Sequence, residues 1–493
     1  MKAIMIQGTA SDVGKSVLCT ALCRIFVNDG YRIAPFKSQN MALNSYITKD
    51  GGEIGRAQGV QAEASKIDAT TDMNPILLKP TGNMVSEVIL HGKPFAEMDA
   101  VSYRENFVEQ VMPEVRKSLR RLEAQYDLLV LEGAGSPAEI NLKSRDIANM
   151  RMAHETNASV ILVADIERGG VFASIVGTLM LLDEEERARV KGIIINKFRG
   201  MEELLVSGIE WLEEYTGIQV LGVIPYFDVQ IEAEDSMALS SLRLKNPQLH
   251  EFEIDVAVIR LPLISNFTDL DPLFEEPDVR VRFVSSLKDL KNPDVIILPG
   301  TKNTINDYVW LQETGLAQAI LQQSRKGKNI VGICGGYQML GETILDHQTI
   351  EGENRKYTTL GLLPIETVLV NEKQTAQVKG TNYAGQEMIG FELHLGRSTP
   401  TQPIQSFICL DDGRQDGVYT EQVMGTYLHG VFQNRLFTRD FFNKIRVKKN
   451  LEEVSIEIPS DYERREQAYE MLDYHVRKHL NMEKVYELLD DSM

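Results

Sequence analysis

The chain has 493 residues, 43% of them hydrophobic, with 52 Lys and Arg against 71 Asp and Glu for a formal charge of −19. That length can bury more than one core, and the composition is that of a folded globular protein, with no bias toward disorder. The acidic balance argues against nucleic acid or an anionic membrane as the main partner, and no run approaches a membrane span.

Met1-Lys2-Ala3-Ile4 enters a strand at once, which leaves no room for a signal peptide and points to the cytoplasm. The apolar run Ala3–Ile6 leads into Gly8-Thr9-Ala10-Ser11-Asp12-Val13-Gly14-Lys15-Ser16, and Val17–Phe26 then has helical periodicity. Cys19 and Cys23 fall four apart on that helix and read as reduced core thiols. With Cys334 and Cys409 they show no paired metal spacing, and so few cysteines suit a reducing compartment. Further strands are predicted at Arg32–Pro35, Leu128–Leu131, Val160–Ala164, Gly192–Ile195 and Val220–Ile224, each followed by a helix-like stretch. This is the pattern of a doubly wound, mostly parallel sheet, whose ligands bind beyond the carboxyl ends of the strands. The pattern lapses over 231–252, the expected linker. A second α/β series follows with Ile254–Ile259, Arg282–Val284, Val295–Leu298 and Ile330–Ile333, and the runs Leu360–Leu363, Met388–Leu393 and Gln422–Leu428 are expected to extend its sheet. From Arg435 the chain is charged with helical periodicity. The expected organisation is a nucleotide domain over 1–230, a second domain over 253–445 and closing helices over 446–493.

Strand, glycine loop, lysine, hydroxyl and helix come in the order that a phosphate cradle needs. The loop amides and the helix N-terminus point at phosphates, Lys15 reaches the terminal ones, and Ser16 offers its hydroxyl to Mg²⁺. Gly8, Thr9, Asp12, Gly14, Lys15, Ser16 and Lys37 form the nucleotide set, and five residues rather than the common four separate Gly8 from Gly14. Glu132, at the end of a buried strand, is placed to hold Mg²⁺ with Ser16, and Asn196 follows a late strand where it could read a base edge or form a plain turn. Two dense sets of hydrogen-bonding side chains remain. Ser38, Asn40 and Asn44 follow the second strand, and Ser136, Glu139 and Asn141 precede Arg145-Asp146; both sets are candidates to hold an acceptor.

In the second half, Gly332-Ile333-Cys334-Gly335-Gly336 has the form of a nucleophile elbow, a tight turn that aims a helix N-terminus at the thiol and lowers its pKa. His429, at the end of another strand, is the best-placed base for the Cys334 proton. The backbone N–H groups of Gly300 and Gly335 are candidates for an oxyanion hole.

Cys334-Gly335-Gly336-Tyr337-Gln338 with His429 resembles a class I glutamine amidotransferase. The Glu that such enzymes carry two residues after the histidine is replaced by Val431, so the acid that orients His429 is open between contributors such as Glu392 and His394. The first half is similar to the dethiobiotin synthetase-like phosphate-loop family, which has the same five-residue gap and a Glu-Gly-Ala-Gly strand end. In this order the two halves resemble the cobyric acid synthase family over nearly the whole chain, through Ser38–Ser45, Met73-Asn74-Pro75, Gly135–Leu142, Ala164–Phe172, Asn196–Gly200 and Ser265–Asp269. The resemblance implies a ligase that uses ATP and Mg²⁺, takes ammonia from glutamine, and amidates four side-chain carboxylates of the corrinoid adenosylcobyrinic acid a,c-diamide. It also implies a catalytic role for Asp146 in steering acceptor or ammonia, against a plain salt bridge to Arg145. Another amidoligase, such as cobyrinic acid a,c-diamide synthase or CTP synthase, and a partition-type ATPase switch are the alternatives. The switch would leave Cys334 and His429 without a role.

Overall fold

The computed structural model describes all residues except 83–84, 104–106, 228–251, 354, 456–458 and 491–493. Its first sheet runs, edge to edge, Val220–Pro225, Val190–Phe198, Ser159–Asp165, Lys2–Gly8, Leu128–Glu132, Ile33–Phe36, with every neighbouring pair parallel. Leu128–Glu132 and Ser159–Asp165 are buried along their whole length. That burial is why they read as continuous apolar runs: helices cover both faces, so no alternation with polar residues is needed. Lys2–Gly8 sits between them, with Ile6 opposite Glu132 and Gly8 opposite Val163. The strand order reverses here, and the crevice at such a switch point lies directly above Gly8.

A second, smaller sheet in this half was not legible in the sequence. Gln39–Met41 pairs in parallel with Ile76–Gly82, which continues antiparallel through Val85–Leu90 and Lys93–Asp99, while Ser45–Ile47 and Glu53–Gly55 form their own ladder. Gln39–Met41, Ser45–Ile47 and Glu53–Gly55 have three residues each and Lys93–Asp99 is largely exposed, so none of these carries a strong apolar signature.

The second half holds a sheet ordered Val279–Val284, Ile254–Ile259, Val295–Leu298, Asn329–Ile333, Val423–Thr426, Val418–Tyr419, parallel but for its last edge strand. Two expectations need correction. Leu360–Leu363 is no strand: it turns back over the helix Gly335–Leu340, its amides donating to Met339 and Leu340 carbonyls. Met388–Leu393 belongs to the long strand Glu387–Pro400, which pairs antiparallel with Ile365–Asn382 in a separate sheet. Apolar content alone cannot say which sheet a strand joins. Of the expected linker, all but Phe252 lies outside the described residues.

The chain closes with the helices Arg435–Lys448, Asp461–His479 and Met482–Asp490. The last two return to the first half. Tyr469, Leu472, Val476, Val485, Leu488 and Leu489 share one core with Ile4, Ile6, Leu22 and Phe26. Arg24, fully buried on the helix Lys15–Asn28, donates to Glu466 at 2.8 and 3.1 Å and to Glu470 at 3.3 Å. Among the described residues no helix is long and apolar enough to cross a membrane.

Candidate active site

The loop after Lys2–Gly8 folds as a cradle because two of its residues take left-handed backbone angles, Asp12 at φ 60° and Gly14 at φ 100°. A Cβ on Gly14 would come within 2.2 Å of the Asn196 amide nitrogen, and one on Gly8 within 2.9 Å of Lys15 Nζ. Asn196 donates to Val13 O at 2.8 Å, so it pins the loop itself. Lys197 reaches Asp165 Oδ2 at 3.0 Å on the same rim. Lys15 Nζ donates to Ala10 O at 2.9 Å and Gly135 O at 3.0 Å, the posture of an ammonium curled over its own loop. Beneath it the Glu132 carboxylate accepts from Ser16 Oγ at 2.9 Å, Lys37 Nζ at 2.9 Å and Gln61 Nε2 at 2.6 Å. Burial would push that carboxyl up, but the Lys37 charge and these donors hold it below the usual range. A hydroxyl and an ionised carboxylate side by side are the hard oxygen donors that suit Mg²⁺.

The second cluster lies at the carboxyl ends of the other parallel sheet. Cys334, between the strand Asn329–Ile333 and the helix Gly335–Leu340, has φ 52° and ψ −109°, a strained turn for a residue with a side chain. The glycines after it are required sterically: a Cβ on Gly336 would come within 1.9 Å of Leu298 O, and one on Gly335 within 2.6 Å of Thr301. Cys334 Sγ donates to Leu393 O at 3.4 Å. His429 is fully buried beside it, its Nδ1 2.7 Å from Asp269 Oδ2, while the other Asp269 oxygen accepts from Gly430 N at 2.7 Å. Burial would lower the imidazole pKa, yet the negative charges of the Asp269 carboxylate and of Cys334 as thiolate, with the hydrogen bonds to both, raise it to about 10. Gly300 stands against the same ring, since a Cβ there would lie 3.0 Å from His429 Cε1. A nucleophile on a strained elbow, a buried imidazole and an orienting acid make the arrangement of nucleophilic acyl transfer.

Two family models match this chain. Residues 4–239 match the CobQ/CobB/MinD/ParA nucleotide binding domain, and residues 255–437 match the CobB/CobQ-like glutamine amidotransferase domain. The chain is 52% identical over 488 residues to the cobyric acid synthase of Anoxybacillus flavithermus, covering 98% of this chain and 96% of that one. The figures are 50% over 498 residues for that of Geobacillus sp. (strain WCH70), covering 98% and 97%, and 47% over 489 residues for that of Nostoc sp., covering 98% and 99%. The chain belongs to the cobyric acid synthase family.

Within this family framework the structure answers the question raised by Val431, a fully buried apolar residue. The acid that touches His429 is neither of the two candidates. Glu392 is spent on Arg414, at 2.8 and 3.2 Å, and His394 donates its Nδ1–H to Gly396 O at 2.7 Å. Asp269 arrives instead from the short helix Phe267–Glu275, 160 residues upstream. Its signal was present only as part of the Ser265–Asp269 resemblance, with no spacing to tie it to His429.

The same segment joins the two halves. Asn266, in the left-handed region at φ 50°, accepts from Ser45 N at 3.0 Å and brings Nδ2 to 3.5 Å from His429 Nε2, while Phe267 N donates to Asn44 Oδ1 at 3.2 Å. Nearby, Lys373 Nζ bridges Glu53 at 2.7 Å and Glu87 at 3.3 Å, Lys79 meets Glu53 at 2.6 Å and Lys302 meets Glu87 at 3.2 Å. Of the acceptor candidates, Ser38 donates to Ile147 O, Asn40 donates to Gln58 and Asn44 holds the junction. Ser136 accepts from Ala138 N, whereas Glu139 and Asn141 are exposed on the loop beyond. Asp146 is committed locally: one oxygen accepts from Ala148 N and Asn149 N, the other from Arg151 N. These bonds fix its carboxylate just ahead of the helix Met150–Glu155, at the base of the loop that carries Ser136, Glu139 and Asn141.

Proposed function

We propose that the protein is an ATP-dependent, glutamine-dependent amidoligase that converts four side-chain carboxylates of adenosylcobyrinic acid a,c-diamide to amides, giving cobyric acid. The observation that supports this reading is the junction: Phe267 N donates to Asn44 Oδ1, Ser45 N donates to Asn266 Oδ1, and Asn266 Nδ2 lies 3.5 Å from His429 Nε2, so the stretch assigned here to the acceptor adjoins the base assigned here to the glutaminase.

A carboxylate resists ammonia because its charge repels a nucleophile and oxide cannot leave. In the first half, the acceptor carboxylate oxygen attacks the γ-phosphorus of ATP, ADP departs, and an acyl phosphate results. Lys15 and the loop amides stabilise the charge spread over the transferring group. Ser16 and Glu132 are the residues that would hold Mg²⁺, which supplies charge neutralisation between the phosphates when bound. Thr9, Asp12, Lys37 and Asn196 complete the loop and its rim.

In the second half, His429 takes the Cys334 proton at Nε2 and the thiolate attacks the glutamine side-chain carbonyl, its oxyanion facing the Gly300 and Gly335 amides. The imidazolium returns the proton to the leaving nitrogen, the C–N bond breaks, and a thioester and ammonia form. Water, deprotonated by His429, then cleaves the thioester to glutamate. Asp269 holds the imidazole so that Nε2 faces the thiol. Ammonia attacks the acyl phosphate, inorganic phosphate leaves, and the nitrogen loses a proton to give the amide.

The test is to incubate the protein with ATP, Mg²⁺, glutamine and the corrinoid diamide and follow the product by mass spectrometry. Stepwise exchange of four hydroxyl groups for amino groups is expected. A product unchanged in mass, with ATP consumed, would refute the reading. A specific observation argues against the partition-type switch: a pure switch has no use for the strained Cys334 and its buried His429–Asp269 pair.

A further inference from the structure

The mechanism above leaves the ring of His394 unused, although it stands at the glutaminase turn. It lies on the strand Glu387–Pro400, directly after Leu393, whose carbonyl accepts from Cys334 Sγ, and two residues before Gly396. Gly396 approaches Gln338 so closely that a Cβ would come within 2.2 Å of its amide nitrogen. The ring stacks on Tyr427 with centroids 3.7 Å apart, and its Nδ1–H is given to Gly396 O at 2.7 Å. That bond fixes the tautomer and leaves the lone pair on Nε2. Nε2 is buried and has no hydrogen-bond partner among the described residues. Buried polar atoms are satisfied in nearly all folded proteins, so this acceptor on a clamped ring is open to a small molecule that brings an N–H or O–H of its own.

The position of the ring identifies that ligand. Across the hairpin His394 pairs with Gln374, whose neighbour Lys373 bonds to Glu53 and Glu87 of the first half. The hairpin that carries His394 thus runs from the carbonyl beside the thiol to the junction with the first half. We propose that His394 Nε2 accepts an N–H of the ammonia released at Cys334 and directs it toward the acceptor site. This rests on the reading that Cys334 cleaves glutamine.

The chemistry requires an acceptor that gives no proton. When His429 protonates the leaving nitrogen and the C–N bond breaks, the product is neutral NH₃, with three N–H donors and one lone pair. A neutral imidazole nitrogen binds it through a donor, leaves the lone pair free to attack, and transfers no proton. An imidazolium would convert ammonia to inert ammonium. His394 is kept neutral because burial pushes its pKa down, to about 4, with the His429 charge acting in the same direction and the bond to Gly396 O opposing it.

His394→Phe in the full-length protein keeps the stack on Tyr427 and removes the acceptor, and His394→Gln restores an acceptor. Glutamate release, amide formed from glutamine, and amide formed from added ammonium chloride are measured for each. In the Phe variant the amide formed per glutamate released should fall about fivefold, the effect of one buried hydrogen bond, with ammonium-driven amidation unchanged. The Gln variant should recover most of the ratio. An unchanged ratio in the Phe variant, even with both rates lowered, overturns the proposal, as does a Gln variant equally uncoupled. If the Phe variant also loses ammonium-driven amidation it is misfolded, and His394→Ala compared with Gln decides by the same ratio. Failure of the underlying reading looks different: Cys334→Ser would still release glutamate.

Discussion

Replacing Asp269 by Asn tests the least expected part of the site. The substitution keeps volume and the bond from Gly430 N, but it removes the charge 2.7 Å from His429 Nδ1 in a fully buried setting. With the Asn oxygen still facing Gly430 N, its NH₂ faces Nδ1, which must then accept. The ring proton moves to Nε2, where it blocks uptake of the Cys334 proton. A hydrogen bond to a charged group is worth about 1.5–3 kcal/mol, or roughly 10- to 150-fold in rate at 1.36 kcal/mol per decade. The tautomer error adds to this, so glutamate release should fall at least about 100-fold. Amidation from added ammonium chloride should persist, which separates a damaged glutaminase from a misfolded protein. Glutamate release within about threefold of the parent, in a variant that melts normally, would refute the role assigned to Asp269. The pair also predicts a pH effect. His429 has its pKa raised from 6.5 to about 10, so its contribution to stability is fully present below 6.5 and is lost as pH rises through about 10. The difference in melting temperature between the parent and Asp269→Asn should therefore shrink across that window.

Other outcomes follow from the same geometry. Cys334→Ser should abolish glutamine-dependent amidation and leave ammonium-dependent amidation largely intact, whereas Lys15→Ala should remove both; product mass with each nitrogen source checks the pair. Glu53→Gln should destabilise the protein by about 3–5 kcal/mol in urea titrations, since it leaves buried Lys79 and Lys373 without their shared counter-ion. Burial opposes the charge on Glu53, but the two lysines hold its pKa well below 4.5. Its stabilisation is thus present above pH 4.5 and lost on further acidification, and acid melts of Glu53→Gln should show less of that loss. Removing residues 460–493 should strip Leu472, Val476, Leu488 and Leu489 from the first core and strand the buried Arg24, lowering the melting temperature sharply.

The local signals were legible because local physics makes them. The inner strands of the first sheet, such as Leu128–Glu132 and Ser159–Asp165, are buried on both faces, so their apolar runs stand out. The loop over Gly8–Ser16 and the elbow at Cys334 each need glycines and a given residue order over a few positions to adopt left-handed turns, and that order can be read directly. The separate, mostly antiparallel sheet, by contrast, takes up Met388–Leu393, because a strand of that composition can join either neighbour.

Two parallel α/β units, a phosphate loop with Lys15 and Ser16, a Cys334 elbow and His429 as its candidate base are all legible in local residue order. Packing of distant segments is what sets Asp269 against His429, ties Asn44 and Ser45 to Phe267 and Asn266, and returns the final helices to the first half. The physical reason is the same in each case. These side chains meet across separations of up to several hundred residues, and such contacts leave no periodicity or spacing in the chain. They exist only once burial of the two cores has fixed where every strand ends.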